Sequence, residues 1–534
     1  MERIRVRPLA LVLALAALML IPLVSADAHN AKATARLGHE QVVSRPDLSF
    51  KVSAALIPGN KENTNVIAQN DGPAAATIAM DIYTPAGVLI PGASQVFTNV
   101  PVGGTRVFAQ AINSGLVAGF RGVGVLSSDQ PINALLVRGI ESPAGLQSSS
   151  IHNSISAGAT KISLPFIVNA LDGVFNTRFA IANTGLSVAC VTIEYAFKPN
   201  AGSVGAGGKP NQTDSGPGGS SGCASGYAVP VNGQISFAPT AVDGAIAMPA
   251  GTGNAQMSAT ITSTVPVTVG VDAYITGSRS LGAYDGFVVG AGGDLGTNII
   301  IPLAIKHADG YLSQYLISNP NGSQANVTIT YSGNSGTFTK TLTVPANGTA
   351  DHGVYSDSIV PVGFVGSARV ASDQPIAVVA FYGKMTTAGS FIGEDVYAAI
   401  NGVPVEKAAL KAKFPLIFRR AYQSGGALGY NSWVSVTVAD GSTANVTVTA
   451  VNDPTSTAPG CQGSSYTSTV TKAVTGSFIF YQNADVDNGF SPSPGCFWGG
   501  MVITSDKPIV AIGDVANDLN PGDTDGRYNA FASN

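Results

Sequence analysis

The side chains that could act as nucleophiles or general bases are few and widely scattered. The 534 residues include five histidines and four cysteines. Residues Gly218 to Gly222 fit the G-x-S-x-G pattern of a hydrolase nucleophile elbow, but they lie in a Gly/Ser-rich stretch without the strand-to-helix context that this mechanism needs. Zinc-protease and phosphate-loop motifs do not occur in the sequence. The sequence therefore predicts no catalytic residue and no cofactor, and a secreted hydrolase is the weakest functional hypothesis.

Two tryptophans, Trp433 and Trp498, are candidates for stacking against a sugar ring, and both lie in the last quarter of the chain. Aromatic residues also stand between glycines, as in Gly119-Phe120-Arg121-Gly122 and Gly363-Phe364-Val365-Gly366. Such residues more often close the end of a core than bind a ligand. Carbohydrate binding through the last quarter is therefore an alternative hypothesis.

Two groups of aspartates could offer hard oxygen ligands to Ca²⁺. One is Asp485 with Asp487, and the other is Asp518, Asp523 and Asp525. Neither fits the spacing of a calcium loop, and Asp-Gly pairs are ordinary in turns. The second group is a weak calcium candidate, and the sequence predicts no metal site.

Four cysteines, Cys190, Cys223, Cys461 and Cys496, allow three disulfide pairings. Their separations favour Cys190 with Cys223 and Cys461 with Cys496. Each bridge would stabilise the fold by about 3–4 kcal/mol, because it restricts the unfolded chain. The sequence thus predicts structural disulfides, which persist outside the cytoplasm.

The N-terminal residues 1–26 have the pattern of a secretory signal peptide. Three arginines precede an apolar run that ends in small residues. An uncleaved anchor is the alternative, although the run is short for a membrane span. Residues 27–48 are polar and are predicted to form a leader. No later run is long enough for a membrane helix, so the mature chain is predicted to be secreted or associated with a bacterial cell surface.

The charge of the chain is low, since only 11% of residues are charged against about 25% in ordinary globular proteins. The formal net charge is −4, and no basic stripe suggests nucleic acid as a partner. Self-association, components of the cell surface or matrix, and glycans are the partners that this composition allows.

One thirteen-residue segment occurs twice, as SSDQPINALLVRG at 127–139 and ASDQPIAVVAFYG at 371–383. Related segments surround Pro266 and Pro508. Together with other recurring landmarks they predict four units, at 49–160, 161–297, 298–411 and 412–534. The second unit is longer because of a Gly/Ser/Pro-rich loop at 201–222.

Each unit reads as a series of short alternating runs rich in Val, Ile, Thr, Tyr and Phe, with turn residues every 8 to 12 positions. This pattern is typical of an immunoglobulin-like antiparallel β-sandwich. Asn70-Asp71-Gly72 and its counterparts are predicted to form hairpin turns. The sequence thus predicts an all-β tandem array of four sandwiches, arranged as a rod.

The run after each recurring proline is almost continuously apolar. Proline at the start of a strand needs no backbone donor, so SDQPI is interpreted as a strand entry. The run IAVVAFY should form a central strand whose second face is covered, which requires Ala377 and Val379 to be buried.

The third unit also carries A-x-V-T-I-T-Y, V-P-A-N-G-T and G-F-V-G-S-A-x-V-x-S-D-Q-P-I. This pattern resembles tandem β-sandwich repeat proteins secreted by bacteria, and a single unit resembles the sandwich of sensory-rhodopsin-transducer-like proteins. The second unit departs from it at Thr264 and Val265. The resemblance implies fold and location but no activity. The leading hypothesis is a non-enzymatic structural or adhesive protein of the cell surface, envelope or matrix.

Overall fold

The structure of the protein is a computed structural model. It describes residues 47–50, 61–141, 147–154, 157–198, 211–219, 222–241, 244–276, 280–384, 397–422, 429–452, 461, 466–517, 522–523 and 525–533. The predicted signal peptide, most of the predicted leader and Asp518 lie outside these ranges. In the described part of the chain no helix is long and apolar enough to cross a membrane.

The described residues are mostly β-strands, which confirms the all-β prediction, and one pairing scheme repeats four times along the chain. We refer to these repeats as the first to fourth units. The first unit is built from β1 (Asp47–Phe50), β2 (Lys61–Asn70), β3 (Ala76–Tyr83), β4 (Gln95–Val100), β5 (Thr105–Ala109), β6 (Gly122–Ser128), β7 (Ile132–Glu141) and β8 (Gln147–Asn153). The second contains β9 (Ala159–Asn169), β10 (Phe175–Asn183), β11 (Ala189–Phe197), β12 (Gln212–Asp214), β13 (Tyr227–Val229), β14 (Gln234–Ala238), β15 (Ile246–Ala247), β16 (Ala255–Ile275), β17 (Leu281–Asp285) and β18 (Phe287–Val288).

The third unit contains β19 (Gly296–Ala308), β20 (Tyr311–Asn319), β21 (Ala325–Gly333), β22 (Gly336–Val344), β23 (Gly348–Gly353), β24 (Phe364–Lys384), β25 (Tyr397–Asn401) and β26 (Val403–Pro404). The fourth contains β27 (Ala409–Arg419), β28 (Tyr430–Val438), β29 (Thr443–Asn452), β30 (Tyr466–Thr475), β31 (Ser477–Tyr481), β32 (Phe497–Asn517), β33 (Gly522–Asp523), β34 (Gly526–Asn529) and β35 (Phe531–Ser533). Single 3-10 turns lie at Pro91–Ala93, Gln110–Ile112, Ala250–Thr252, Val354–Ser356 and Val405–Lys407. The unit boundaries that the sequence suggests stay predictions.

A long strand joins the two layers of each later unit. In the third unit, the first half of β24 pairs with β19 and β21, and its second half pairs with β20 and β25. The strands β16 and β32 change partners in the same way. In the first unit the corresponding strand is divided into β6 and β7. Each unit is therefore a sandwich whose two layers share, or nearly share, one strand.

The recurring SDQPI segment lies at this change of partners. The interpretation as a strand entry is wrong for the third unit, because β24 runs continuously through Pro375. Asp373 instead accepts hydrogen bonds from the backbone N–H of Asn326 at 2.8 Å and from its Nδ2 at 2.6 Å. Asp506 binds Asn445 in the same manner. The aspartate satisfies a backbone donor of the neighbouring strand where β24 or β32 changes sheet.

The predicted turns are confirmed, although they are not hairpins. In each unit the first Asn or Asp side chain accepts the backbone N–H two residues later, as in Gly72 to Asn70 at 2.9 Å and Gly185 to Asn183 at 2.8 Å. Ser442 and Asp440 repeat this contact at 2.9 Å. These Asx turns connect strands of opposite layers, such as β2 and β3, which do not pair with each other.

The apolar strand β24 is central and covered on both faces, as predicted. Val378 and Ala380 lie in the core of the third unit. Ala377 and Val379 have no exposed surface and pack into a core that includes Ile162 and Leu164 of the second unit. The covering partner is therefore a neighbouring unit, and the nearly unbroken apolar run reflects burial on both sides.

The units form a closed ring, so the predicted rod is wrong. The second and third units share the apolar core just described. Ile512 of the fourth unit packs into the core of the third. Ile67 and Leu135 of the first unit pack into the core of the fourth. Strand β1 of the first unit contacts β10 of the second, which completes the circuit. The interface between the fourth and first units buries apolar side chains that a rod would leave exposed at its two ends.

Candidate functional site

Four short strands, one from each unit, lie together and connect all four units. They are β8, β17, β25 and β34, and each contacts two of the others in a cycle. One residue occupies the same place in each strand, because it pairs with the fourth residue after the recurring proline: Asn153 with Leu135, Asp285 with Gly270, Asn401 with Val379, and Asn529 with Ile512. We call Asn153, Asp285, Asn401 and Asn529 the Asx ring.

The members of the Asx ring are joined by a closed cycle of hydrogen bonds. The backbone N–H of each residue donates to the side-chain oxygen of the next: Asn153 to Asp285 at 3.1 Å, Asp285 to Asn401 at 3.2 Å, Asn401 to Asn529 at 3.0 Å, and Asn529 to Asn153 at 3.2 Å. Each amide in turn returns a hydrogen bond from Nδ2 to the backbone carbonyl of the residue that donates to it. Three reciprocal pairs and one single contact therefore connect all four units.

The single contact arises because Asp285 has no amide to donate. Its carboxylate instead binds His152, whose Nδ1 lies 3.0 Å from Oδ1 of Asp285. The other ring nitrogen of His152, Nε2, lies 3.1 Å from Asp272. Asp272 is also bound by Arg138, with guanidinium nitrogens 3.0 Å from both carboxylate oxygens. At the junction of the first and second units, the contact of Asp285 with His152 therefore takes the place of the amide hydrogen bond that the other three junctions have.

This environment favours the charged form of His152. Burial lowers its pKa, but the hydrogen bonds and charges of Asp272 and Asp285 raise it, and the net effect brings the pKa to about 9. The imidazole is thus protonated at neutral pH and both of its nitrogens are donors. His152 therefore lies as a cation between the carboxylates of Asp272 and Asp285.

An open pocket of about 620 Å³ lies against the Asx ring, and all four of its members line it. Every unit adds further residues, among them Ser154, Val288, Val403 and Phe531. The pocket also contains Lys407 and Asp294, whose Nζ and Oδ1 are 2.6 Å apart. Its volume is within the range of about 300–1,000 Å³ that is typical of small-molecule sites.

The two candidate sugar-stacking tryptophans do not lie in this pocket. The Trp433 ring is half-buried against the third-unit core, and the guanidinium carbon of Arg527 lies 5.0 Å from its centre. The Trp498 ring packs against the fourth-unit core and stacks on Phe418 at 6.4 Å. Both rings therefore contact protein partners, and sugar binding by either stays a prediction.

The aspartates considered for calcium have protein partners. Asp485 lies 3.5 Å from Arg420, and Asp487 lies 2.7 Å from Lys472. Asp525 is buried and accepts a 3.2 Å hydrogen bond from the hydroxyl of Tyr311. Asp518 and the side chain of Asp523 lie outside what the structure describes, so calcium binding by this group stays a prediction.

Both predicted disulfide pairings are confirmed. Cys190 and Cys223 have Cα atoms 5.5 Å apart, and the Cα atoms of Cys461 and Cys496 are 5.2 Å apart. The first bridge joins β11 to the loop before β13. Part of the predicted flexible loop is ordered, since β12 at Gln212–Asp214 pairs with β11.

Sequence reasoning missed the Asx ring, although a signal for it exists. The motif is an Asn or Asp followed by a small residue: Asn153-Ser154, Asp285-Gly286, Asn401-Gly402 and Asn529-Ala530. The preceding residue does not mark the motif, because it is His152, Tyr284, Ile400 or Tyr528.

Comparison with known proteins identifies no family. No protein-family description and no curated protein matches the chain. Among solved structures, one described as the "tetra-tandem repeat in extending region of large adhesion protein" is 15% identical, and the alignment covers 91% of this chain and 99% of that one. The TM-score is 0.09, and a likeness at that level carries no argument about fold or function.

Proposed function

We propose that the protein is a non-enzymatic extracellular binding protein of the structural or adhesive class, in which four β-sandwich units form one rigid ring. The observation that carries the proposal is the hydrogen-bond cycle of the Asx ring, together with the pocket that its members line. A binding site shared by four units requires their relative positions to be fixed, and the cycle fixes them.

Two further observations support this class. His152, the histidine next to the pocket, has both nitrogens engaged by carboxylates, so it is unsuited to proton abstraction. The two disulfides among the described residues suit an oxidising compartment outside the cytoplasm. Stabilisation of this kind is useful to a protein that must keep its shape outside the cell.

An adhesion assay with the secreted chain tests the proposal. Beads coated with residues 27–534 should be retained on surfaces coated with matrix proteins or cell-wall polysaccharides more strongly than albumin-coated beads. The soluble chain should not turn over panels of ester, glycoside and peptide substrates. Retention no better than albumin, or turnover that copurifies with the chain, would show the proposal to be wrong.

A further inference from the structure

The pocket at the Asx ring offers unused hydrogen-bonding capacity in a regular arrangement. A side-chain amide has two donor hydrogens and an oxygen with two acceptor positions. Asn153, Asn401 and Asn529 each use one donor and one acceptor position in the cycle. Each therefore retains one N–H and one acceptor position, and all three residues line the pocket.

The charged groups of the pocket are already neutralised. Asp285 is bound to His152, and Asp294 forms an ion pair with Lys407. Lys407 is the single cationic side chain among the described lining residues. A phosphate, sulfate or carboxylate would have to compete with Asp294 for it, and a free cation would find no carboxylate without a partner. The pocket is therefore suited to an uncharged ligand.

Apolar residues also line the pocket. Among them are Phe531, Val288, Val403 and Pro404. Hydroxyl groups both donate and accept, which matches the free N–H and acceptor position of a side-chain amide, while ring C–H groups suit aromatic and aliphatic walls. An uncharged sugar combines these two features in one molecule.

We infer that this pocket binds a neutral saccharide, with its hydroxyl groups on the amides of Asn153, Asn401 and Asn529 and its apolar face against Phe531 and the neighbouring walls. This inference rests on the proposed extracellular binding role and names its ligand class. It differs from sugar stacking on Trp433 or Trp498, because the site belongs to all four units and disappears when the ring opens.

The test uses residues 27–534 on an array of neutral, sialylated and sulfated glycans, followed by calorimetric titration with the neutral glycan that gives the highest signal. Two substitutions fill the pocket from different units: Ala532→Trp and Ala157→Trp, both at exposed lining positions. The matched control is Ala473→Trp, which adds the same side chain at an exposed position of strand β30. Unchanged melting temperatures establish that each variant is folded.

We expect neutral glycans to bind, and each pocket substitution to raise the dissociation constant about tenfold or more, because the tryptophan occupies the ligand's volume. The control should bind as the natural chain does. In two-dimensional NMR of the natural chain, addition of the bound glycan should shift the amide signals of Asn401 and Asn529. This measurement does not depend on the variants.

Several results would overturn the inference. These are a preference for charged glycans, binding that survives both pocket substitutions, equal loss in Ala473→Trp, or unshifted Asn401 and Asn529 signals. If no glycan binds but coated beads still adhere to protein surfaces, the saccharide inference fails and the adhesive function stands. If the beads also fail to adhere, the proposed function itself is wrong.

Discussion

Asn529 and Asn153 exchange two hydrogen bonds across 376 residues of chain. The backbone N–H of Asn529 donates to Oδ1 of Asn153 at 3.2 Å, and Nδ2 of Asn153 donates to the carbonyl of Asn529 at 2.6 Å. The contact joins the last unit to the first. Because the same exchange links the third unit to the second and the fourth to the third, the ring is closed by one repeated device and not by a special final contact.

Substitution of Asn153 by alanine should weaken this closure. Asn153→Ala removes one acceptor and one donor at a half-buried position, so the free energy of unfolding should fall by about 1–2 kcal/mol. Asn298→Ala, at an exposed position of β19, is the matched control and should change it by less than about 0.5 kcal/mol. Denaturant titration of both variants measures the difference. If the two variants had the same free energy of unfolding, the closing contact would contribute nothing to stability.

The ring should also be visible in the dimensions of the protein in solution. A single compact body of this length has an expected radius of gyration of about 23 Å. Small-angle X-ray scattering of residues 47–534 should give a value close to this. A linear array of four sandwiches would give a substantially larger value and an elongated distance distribution, which would contradict the closed ring.

The local structure of each unit could be predicted from the sequence, because it depends on short-range patterns. The alternation in β21 buries Val327, Ile329 and Tyr331 and leaves Asn326 exposed, as the residue types suggest. The Asx turns and the disulfide pairs likewise follow from local chemistry and separation. The unbroken apolar run of β24 also indicated that its second face is covered.

The arrangement of the units could not be predicted in the same way. Ring closure depends on contacts such as Lys413 with Asp71, which lie 342 residues apart. Nothing in the turn sequence Asn70-Asp71-Gly72 indicates that Asn70 serves the turn while Asp71 binds a distant lysine. Low charge and repeated units favour a rod. The ring depends on which outer faces of the units are apolar, and the repeat pattern does not identify those faces.

His152 should make stability depend on pH above neutrality. Its pKa is about 9 in the folded protein against 6.5 ordinarily, so its contribution is complete below pH 6.5 and is lost as pH rises through 9. The expected size is up to about 3 kcal/mol. Melting temperatures measured from pH 6 to 10 should fall over this window in the natural chain and remain flatter in His152→Gln. An identical decline in both proteins would contradict the role of the histidine.

Asp373 should make the stability of the fold depend on pH in the acid range. Hydrogen bonds from the backbone and side chain of Asn326 hold the pKa of its carboxyl below the usual 3.8, so its stabilisation is present above pH 3.8 and is lost as pH falls through the lower value. Asp373→Ala should lower the melting temperature at pH 7, and the difference should narrow on acidification.

The second unit offers a matched contrast to Asp373. Thr264 stands where the third unit has Asp373, and its hydroxyl accepts the backbone N–H of Cys190 at 3.0 Å. Thr264→Val removes that acceptor without a titrating group, so its effect should be independent of pH. If Thr264→Val showed the same narrowing as Asp373→Ala, the carboxylate of Asp373 would not be the cause.

Arg527 belongs to a buried charge cluster of the fourth unit that packs against aromatic rings of the third. Its Nε lies 2.8 Å from Asp514, and its guanidinium carbon lies 4.4 Å from the Tyr382 ring of the third unit. Burial raises the pKa of Asp514 and Asp525, and the nearby Arg527 opposes that rise. Substitution of the arginine therefore leaves two buried carboxylates without their cation.

Arg527→Met should accordingly lower the free energy of unfolding by about 3–5 kcal/mol, and the triple variant Arg527→Met, Asp514→Leu, Asp525→Leu should recover much of that loss, because the unpaired charges are gone. Lys472→Met, which breaks the partly exposed pair with Asp487, is the control and should cost about 1 kcal/mol or less. Denaturant titration ranks the three variants. If the triple variant were less stable than Arg527→Met, the aspartates would stabilise the interface through contacts other than Arg527, and the arginine would not be its organising charge.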